Sequence, residues 1–204
     1  MWAGLSLHLA LCTLNTTALA QQLLDRVVAR VDGYAITLTD LQAAIALGVV
    51  EVPTGADERQ AIDRLVDRQL ALAEVARFAP PEPAPAPLAD QVAAMSARTG
   101  GRLDAVMKAT GLDQARIREM ARDTLRIEAY LNQRFGTGAQ LSEEEVLQYY
   151  RIHPEAFTRG GRLMPFDEAA PLAREHAAAE RRAATVAQWM RDLRSRADIV
   201  VLQR

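Results

Sequence analysis

Lysine is almost missing from this chain, cysteine occurs once, and no apolar run approaches the length of a membrane span. Lys108 is the single lysine, so 23 of the 24 basic residues are arginines. Beside so much alanine, this reads as coding bias rather than phosphate recognition. The net charge is -2 and the isoelectric point about 6.0, which argues against a nucleic-acid-binding domain, where a concentrated basic excess is usual. The lone cysteine, Cys12, lies in the first twenty residues. Cleavage after Ala20 would leave 184 residues (204 minus 20) without any cysteine, excluding thiol chemistry and disulfides. Of three histidines, that mature chain keeps His153 and His176. Neither stands three or four residues from another His or Cys, as a metal site on a helix requires. Gly100-Gly101 and Gly136-Thr137-Gly138 do not follow strand-like runs, so neither matches a dinucleotide fingerprint. No metal or cofactor is expected.

The longest patterned stretch is Leu112 to Phe135. At about 100° per residue, Ile117, Met120, Ala121, Thr124, Leu125, Ile127, Leu131 and Phe135 form one apolar stripe. Such a stripe is wider than a coiled-coil seam and calls for several covering partners. Asp113 is the expected N-cap, with Gly136 and Gly138 as the stop. Glu128 falls within the stripe and needs an ion-pair partner or an opening to solvent.

The first twenty residues hold no Asp, Glu, Lys or Arg and end in Ala18-Leu19-Ala20, the pattern of a secretory signal peptide. A basic leading region is missing. Leu5 to Cys12 falls far short of the ~20 apolar residues of a spanning helix, and Leu11 is bulky for a lipidation site at Cys12. Next come Val27–Val31 and Tyr34–Thr37 around Asp32-Gly33, a strong hairpin signal, and Thr39 with Gln42 as a capping box for a helix. A lone hairpin is marginal. The other strand-like run is Asp198 to Leu202, so pairing of the two ends would close a single domain of residues 21–204.

The chain between is helical. Asp57 to Phe78 carries Ile62, Leu65, Val66, Leu72, Ala73 and Ala76 on one face and stops at Pro80-Pro81. Pro80 to Pro87 reads as a stiff extended spacer, with a proline-rich ligand as the alternative. Shorter helices follow at Leu88 to Arg98 and Arg102 to Thr110. Ser142 with Glu145 forms a capping box for a helix ending near His153-Pro154, and a last helix runs from Phe166 to Arg196, with Pro171 tolerable only near its first turn. Glu143, Glu144 and Glu145 suit a helix start better than acid-base work. Ser142 and His153 could be imagined as nucleophile and base, but nothing in the sequence orients them.

The stretches DRVVARVDGYAITLTDLQ (25–42), AIDRLVDRQLALAEVARF (61–78), LSEEEVLQYYRIHPEAF (141–157) and the closing run from Pro165 to Leu202, taken in this order, resemble the N-terminal part of SurA-type periplasmic chaperones. In that family the last two stretches are usually separated by parvulin-type prolyl isomerase domains. Here only Thr158 to Met164 lies between them. The resemblance implies a mostly α chaperone domain whose small sheet joins the N-terminal hairpin to the C-terminal strand. It implies an ATP-independent periplasmic chaperone, not an enzyme, whose partners are unfolded exported or outer-membrane proteins, with no nucleic acid and no stable membrane insertion. Met95, Met107, Met164 and Met190 become candidate client contacts, since a flexible thioether adapts to many side chains; core filling is the alternative for each, and Met120 lies on the expected core face. Two other classes stay open: a relic isomerase with residual activity, and an accessory factor dedicated to one exported partner.

Overall fold

The computed structural model describes residues 25–202 except 54, 56 and 137–140. The expected signal peptide, Cys12 and the Gly138 stop lie outside the described residues. Strands β1 (Val27–Val31) and β2 (Tyr34–Thr37) pair antiparallel. Asp32 (φ 49°) and Gly33 (φ 84°) both take the positive φ of a tight hairpin turn. A register shift between Val27 and Ala29 breaks the alternation of β1. Val28 and Ala29 are consequently both buried.

Helix α1 (Leu38–Ala46) is capped two residues earlier than the sequence suggests. Its cap is Thr37, whose hydroxyl accepts from the Asp40 N–H (3.2 Å) while the Asp40 carboxylate accepts from the Thr37 N–H (3.0 Å). The expected Thr39–Gln42 box does not form because the Thr39 hydroxyl donates instead to the Asp25 carboxylate. Helix α2 (Glu58–Phe78) is capped by Asp57 as expected, but its buried row is Ile62, Val66 and Leu70 with Ala61, Ala71 and Val75. Leu65 and Leu72 are half-buried, and Ala73 and Ala76 face solvent. Alanine suits either face of a helix, so it misplaced the edge of the stripe; the i, i+4 row of larger side chains decides it.

The proline spacer is shorter than expected. Helix α3 (Pro85–Arg98) begins inside it, with Pro85 at the first helical position. Pro85 and Pro87 both sit in the first turn, where backbone N–H groups have no helical partner to lose. Gly100 (φ 60°) and Gly101 (φ 80°) then turn the chain into α4 (Leu103–Thr110). Helix α5 (Gln114–Phe135) is capped by Asp113, whose carboxylate accepts from the Arg116 N–H at 2.7 Å. Glu128 is exposed, so the stripe has its solvent opening there and no buried ion pair is needed. Tyr130, outside the expected stripe, is buried instead.

Helix α6 (Glu143–Ile152) carries the expected Ser142–Glu145 capping box and ends at His153. After a 3-10 turn at Pro154–Phe157, the stretch expected to be a plain link forms a small hairpin, β3 (Thr158–Arg159) and β4 (Arg162–Leu163), around Gly160-Gly161. Helix α7 (Phe166–Arg196) has the expected ends, but Pro171 is its sixth residue and lies in the second turn, not the first. Its missing N–H leaves the Asp167 carbonyl without the usual helical donor, and both residues are exposed to water. Strand β5 (Ile199–Val201) returns antiparallel to β1, giving the order β2-β1-β5 and placing β1 at the centre. The Asp32 side chain accepts from the Asp198 N–H (2.8 Å) and the Asp32 N–H donates to the Asp198 carbonyl (2.9 Å), so the hairpin turn itself holds the returning strand.

Among the described residues, three apolar clusters result. The first joins the sheet to α2, the end of α5 and the last turns of α7; the second joins Leu47, Leu88 and Met95 to Ile117 and Ala121; the third joins Val146 and Phe157 to Ala169 and Ala173. Helix α5 belongs to the first two, which explains the width of its stripe. Helix α7, at 31 residues, is roughly 46 Å long and joins the first cluster to the third.

The third cluster is fastened at the surface by ions. Arg181 donates to the Glu145 carboxylate, and Arg174 to Glu143 and to the Leu141 carbonyl. The hydrogen bond from Arg181, with that from the Ser142 N–H, holds Glu145 down to about 2. A depressed carboxylate contributes stability that is complete above its ordinary value near 4.5 and is lost as pH falls toward the folded value. Hydrogen-exchange protection of residues 143–152, corrected for intrinsic rates, is therefore expected to fall between pH 4.5 and 2, and Glu145→Ala to remove that dependence. Protection equally pH-dependent in both proteins would show that Glu145 is not the group responsible.

Candidate functional site

Four elements leave a long groove on one side of the first cluster. Its floor comes from residues at helical spacing: Ile127 and Leu131 on α5, and Val186, Trp189 and Met190 on α7. Ala71 of α2 and Val52 of the segment after α1 extend the apolar surface. One section has a volume of about 990 Å³, and a second of about 690 Å³ continues along α7 past Ala183 and Ala187. They share Arg64, Asp67, Leu131, Val186 and Met190, and so form one groove. The larger section alone reaches the upper end of the usual size of a small-molecule pocket.

The rim is rich in arginine. Arg64 and Arg68 come from α2 at i, i+4, Arg98 from the end of α3, and Arg182, Arg191 and Arg194 from α7. Arg194 is committed to structure: its Nε donates to Asp67 (2.5 Å) and its Nη2 to the Asp63 carbonyl (3.0 Å), clamping α7 onto α2. Arg68 donates to the Met120 carbonyl (3.1 Å), and burial draws its pKa below the ordinary arginine value while Asp123 opposes the shift. Arg98 lies across the backbone of Gly48 (φ 64°), where a Cβ would overlap it. Glycine at this turn thus admits a cation to the rim.

Trp189 anchors the floor. Only 7% exposed, it packs against Tyr130 (5.8 Å between centroids) and Phe135 (5.6 Å), with Phe78 behind Tyr130. The Arg134 guanidinium covers the Phe135 and Tyr130 rings at 5.5 and 5.9 Å. The groove therefore runs along one face of the main core, with Ile127, Leu131, Val186 and Met190 half-buried between that core and solvent.

The four candidate methionines go to different places. Met190 lines both sections of the groove. Met95 is 1% exposed at the heart of the second cluster, and Met107 packs on the same cluster. Met164 packs on the third cluster, and its carbonyl accepts from the Tyr150 hydroxyl at 2.6 Å. Burial makes Met95 a core residue rather than a surface for clients. Met120 is half-buried beside a smaller cavity of about 320 Å³ between the sheet, α1, α2 and α5. The groove as a whole was missed by sequence reasoning; the paired spacings Ile127/Leu131 and Val186/Met190 were its available signal.

The polar pairs considered for chemistry serve the backbone or the surface. The Ser142 hydroxyl accepts from the Glu145 N–H. His153 stacks on Tyr149 (4.3 Å) with Glu155 and Glu180 at 3.5 and 3.8 Å. Among the described residues there is no group of three or more His, Cys, Asp or Glu positioned to hold a metal ion, and no helix long and apolar enough to cross a membrane.

No protein-family model and no curated protein matches the sequence. Among solved structures, the chain is similar, with a TM-score of 0.58 at 10% identity over 88% of its own length and 100% of the other chain, to a structure described with the virulence factor PEB4 and the periplasmic protein Cj1289, two SurA-like chaperones of Campylobacter jejuni.

Proposed function

We propose that this protein is an ATP-independent periplasmic chaperone that holds unfolded exported polypeptides, outer-membrane proteins included, in the groove between α2, α5 and α7. The observation that carries this reading is the apolar floor of Leu131, Val186 and Met190, open along its length. The floor residues are half-buried in a concave lining of apolar side chains edged by polar groups, the usual form of a binding site, and a thioether at its centre tolerates varied side chains. The arginine rim keeps that surface wet and limits self-association. Likeness of fold to SurA-like chaperones agrees with this use.

Holding is proposed without catalysis. Prolyl isomerisation must lower a barrier of ~18–20 kcal/mol inside a pocket that encloses the proline, and the seven residues from Thr158 to Met164 form only a short hairpin. Substoichiometric to equimolar protein is expected to slow light scattering by several unrelated unfolded proteins while cis-to-trans conversion of a proline tetrapeptide keeps its uncatalysed rate. Met190→Glu, which places a charge in the groove, is expected to abolish holding with little change in melting temperature. Acceleration of the tetrapeptide that scales with protein concentration would assign the chain to the isomerases. Protection of one client only would make it a dedicated accessory factor.

A further inference from the structure

Among the described residues, six arginines line the groove against two carboxylates, Glu51 and Asp67, and Asp67 is already taken by Arg194. Among the described residues Arg64, Arg98, Arg182 and Arg191 have no carboxylate within ion-pair distance. Arg191 donates only to Gln188, and Arg182 to the Asn132 side-chain oxygen at 2.6 Å. The Arg182 Nε is buried without a hydrogen-bond partner among the described residues. Elsewhere among the described residues some arginines are paired, Arg26 with Glu58, Arg59 with Asp63, Arg116 with Glu119, Arg174 with Glu143 and Arg181 with Glu145, and others, such as Arg118 and Arg151, are not. The chain as a whole carries a net charge of -2. The lining of the groove is thus strongly cationic, against the sign of the molecule.

From this charge asymmetry we infer that the groove selects client segments in which apolar side chains alternate with aspartate or glutamate. This rests on the holding function proposed above and names the class of segment held. The apolar side chains of such a segment enter between Leu131, Val186 and Met190, and its carboxylates lie outward at the height of the rim. Guanidinium groups there accept carboxylates in any of several geometries, because each presents a planar fork of donors. Segments bearing lysine or arginine at the same positions meet like charge instead, which is how a surface discriminates against a partner without losing its apolar contacts.

The test uses the full chain and three dye-labelled peptides with blocked ends, so that every carboxylate is a side chain. All share the same leucines and phenylalanines, separated by aspartate and glutamate, by glutamine, or by lysine. By fluorescence anisotropy at low salt, the acidic peptide is expected to bind about tenfold more tightly than the glutamine peptide, the sum of two or three exposed ion pairs. The lysine peptide is expected to bind more weakly than either. The acidic advantage should shrink toward 1 M salt as the screening length falls to ~3 Å. Arg64→Glu with Arg98→Glu, both exposed positions outside any ion pair among the described residues, should erase the acidic preference, the acidic peptide losing more affinity than the glutamine peptide. Equal affinity for all three peptides, still weakened by Met190→Glu, would overturn the inference while leaving the holding groove in place. Failure of every peptide to bind, or binding indifferent to Met190→Glu, would overturn both.

Discussion

Trp189→Ala is expected to remove roughly 3–5 kcal/mol of stability, the range for truncating a large buried aromatic. Its position explains why the loss should reach the upper part of that range. Trp189 is shared by α7, α5 and α2 through the ring sequence Phe135, Trp189, Tyr130 and Phe78, and aromatic pairs add about 0.5–1.5 kcal/mol beyond the area they bury. Domains of ordinary stability hold ~5–15 kcal/mol in total, so a loss of this size should lower the melting temperature by roughly 10 °C. The hole would open onto the groove and loosen its floor, and client holding should weaken at temperatures where the variant is still folded. Trp189→Phe, which keeps the ring contacts, is expected to recover most of both. Urea unfolding followed by circular dichroism measures the stability term; a midpoint unchanged in Trp189→Ala would show that the ring cluster does not hold α7 to the core.

What could be read from the sequence was local chemistry with a period or a cap. The Asp32-Gly33 turn, the Asp57, Asp113 and Ser142 caps and both ends of α7 follow from residue types whose backbone preferences are strong. The pairing of β5 with β1 was legible for a different reason: a hairpin without a third strand is incomplete, and one other strand-like run existed. Competition between neighbours was not legible. Thr39 has the composition of a cap, but Asp25, fourteen residues earlier, takes its hydroxyl. Pro85 looks like a spacer residue until the first turn of a helix removes the cost of its missing N–H.

The groove illustrates the same limit at the level of the site. Periodicity shows which residues of α5 and α7 are apolar, but not that Leu131 and Val186 lack a covering helix. Nor does any local pattern bring Arg98 of α3 to the same rim as Arg64 of α2 and Arg182 of α7. Methionine content alone pointed to four residues, and tertiary packing separates Met190 in the groove from Met95 in a closed core. Charge bias was equally hidden, because the net charge of the chain has the sign opposite to that of the cleft.

Phe157→Ala is expected to unfold one lobe and leave the rest standing. Phe157 is fully buried, with ring centroids 5.3 Å from Tyr150, 6.3 Å from Tyr149 and 6.0 Å from the His176 ring. Truncation should cost about 3–5 kcal/mol, because the other fully buried members of the third cluster, Val146, Ala169 and Ala173, are small and the larger side chains around it, Tyr149, Tyr150 and Phe166 among them, pack on the Phe157 ring or beside it only half-buried. The elements that would be lost, α6, the 3-10 turn and the β3–β4 hairpin, pack chiefly on one another and on the first half of α7. The second half of α7 belongs to a different cluster, with Trp189 and Leu193 packed against α2 and the sheet. Units with separate cores open separately when one is weakened enough. Hydrogen exchange is therefore expected to show lost protection across residues 143–173 in Phe157→Ala, while Trp189 fluorescence and peptide binding in the groove stay near those of the unaltered protein. Loss of groove binding together with the lobe, in a single cooperative step, would mean that the long helix α7 transmits order from the third cluster to the first.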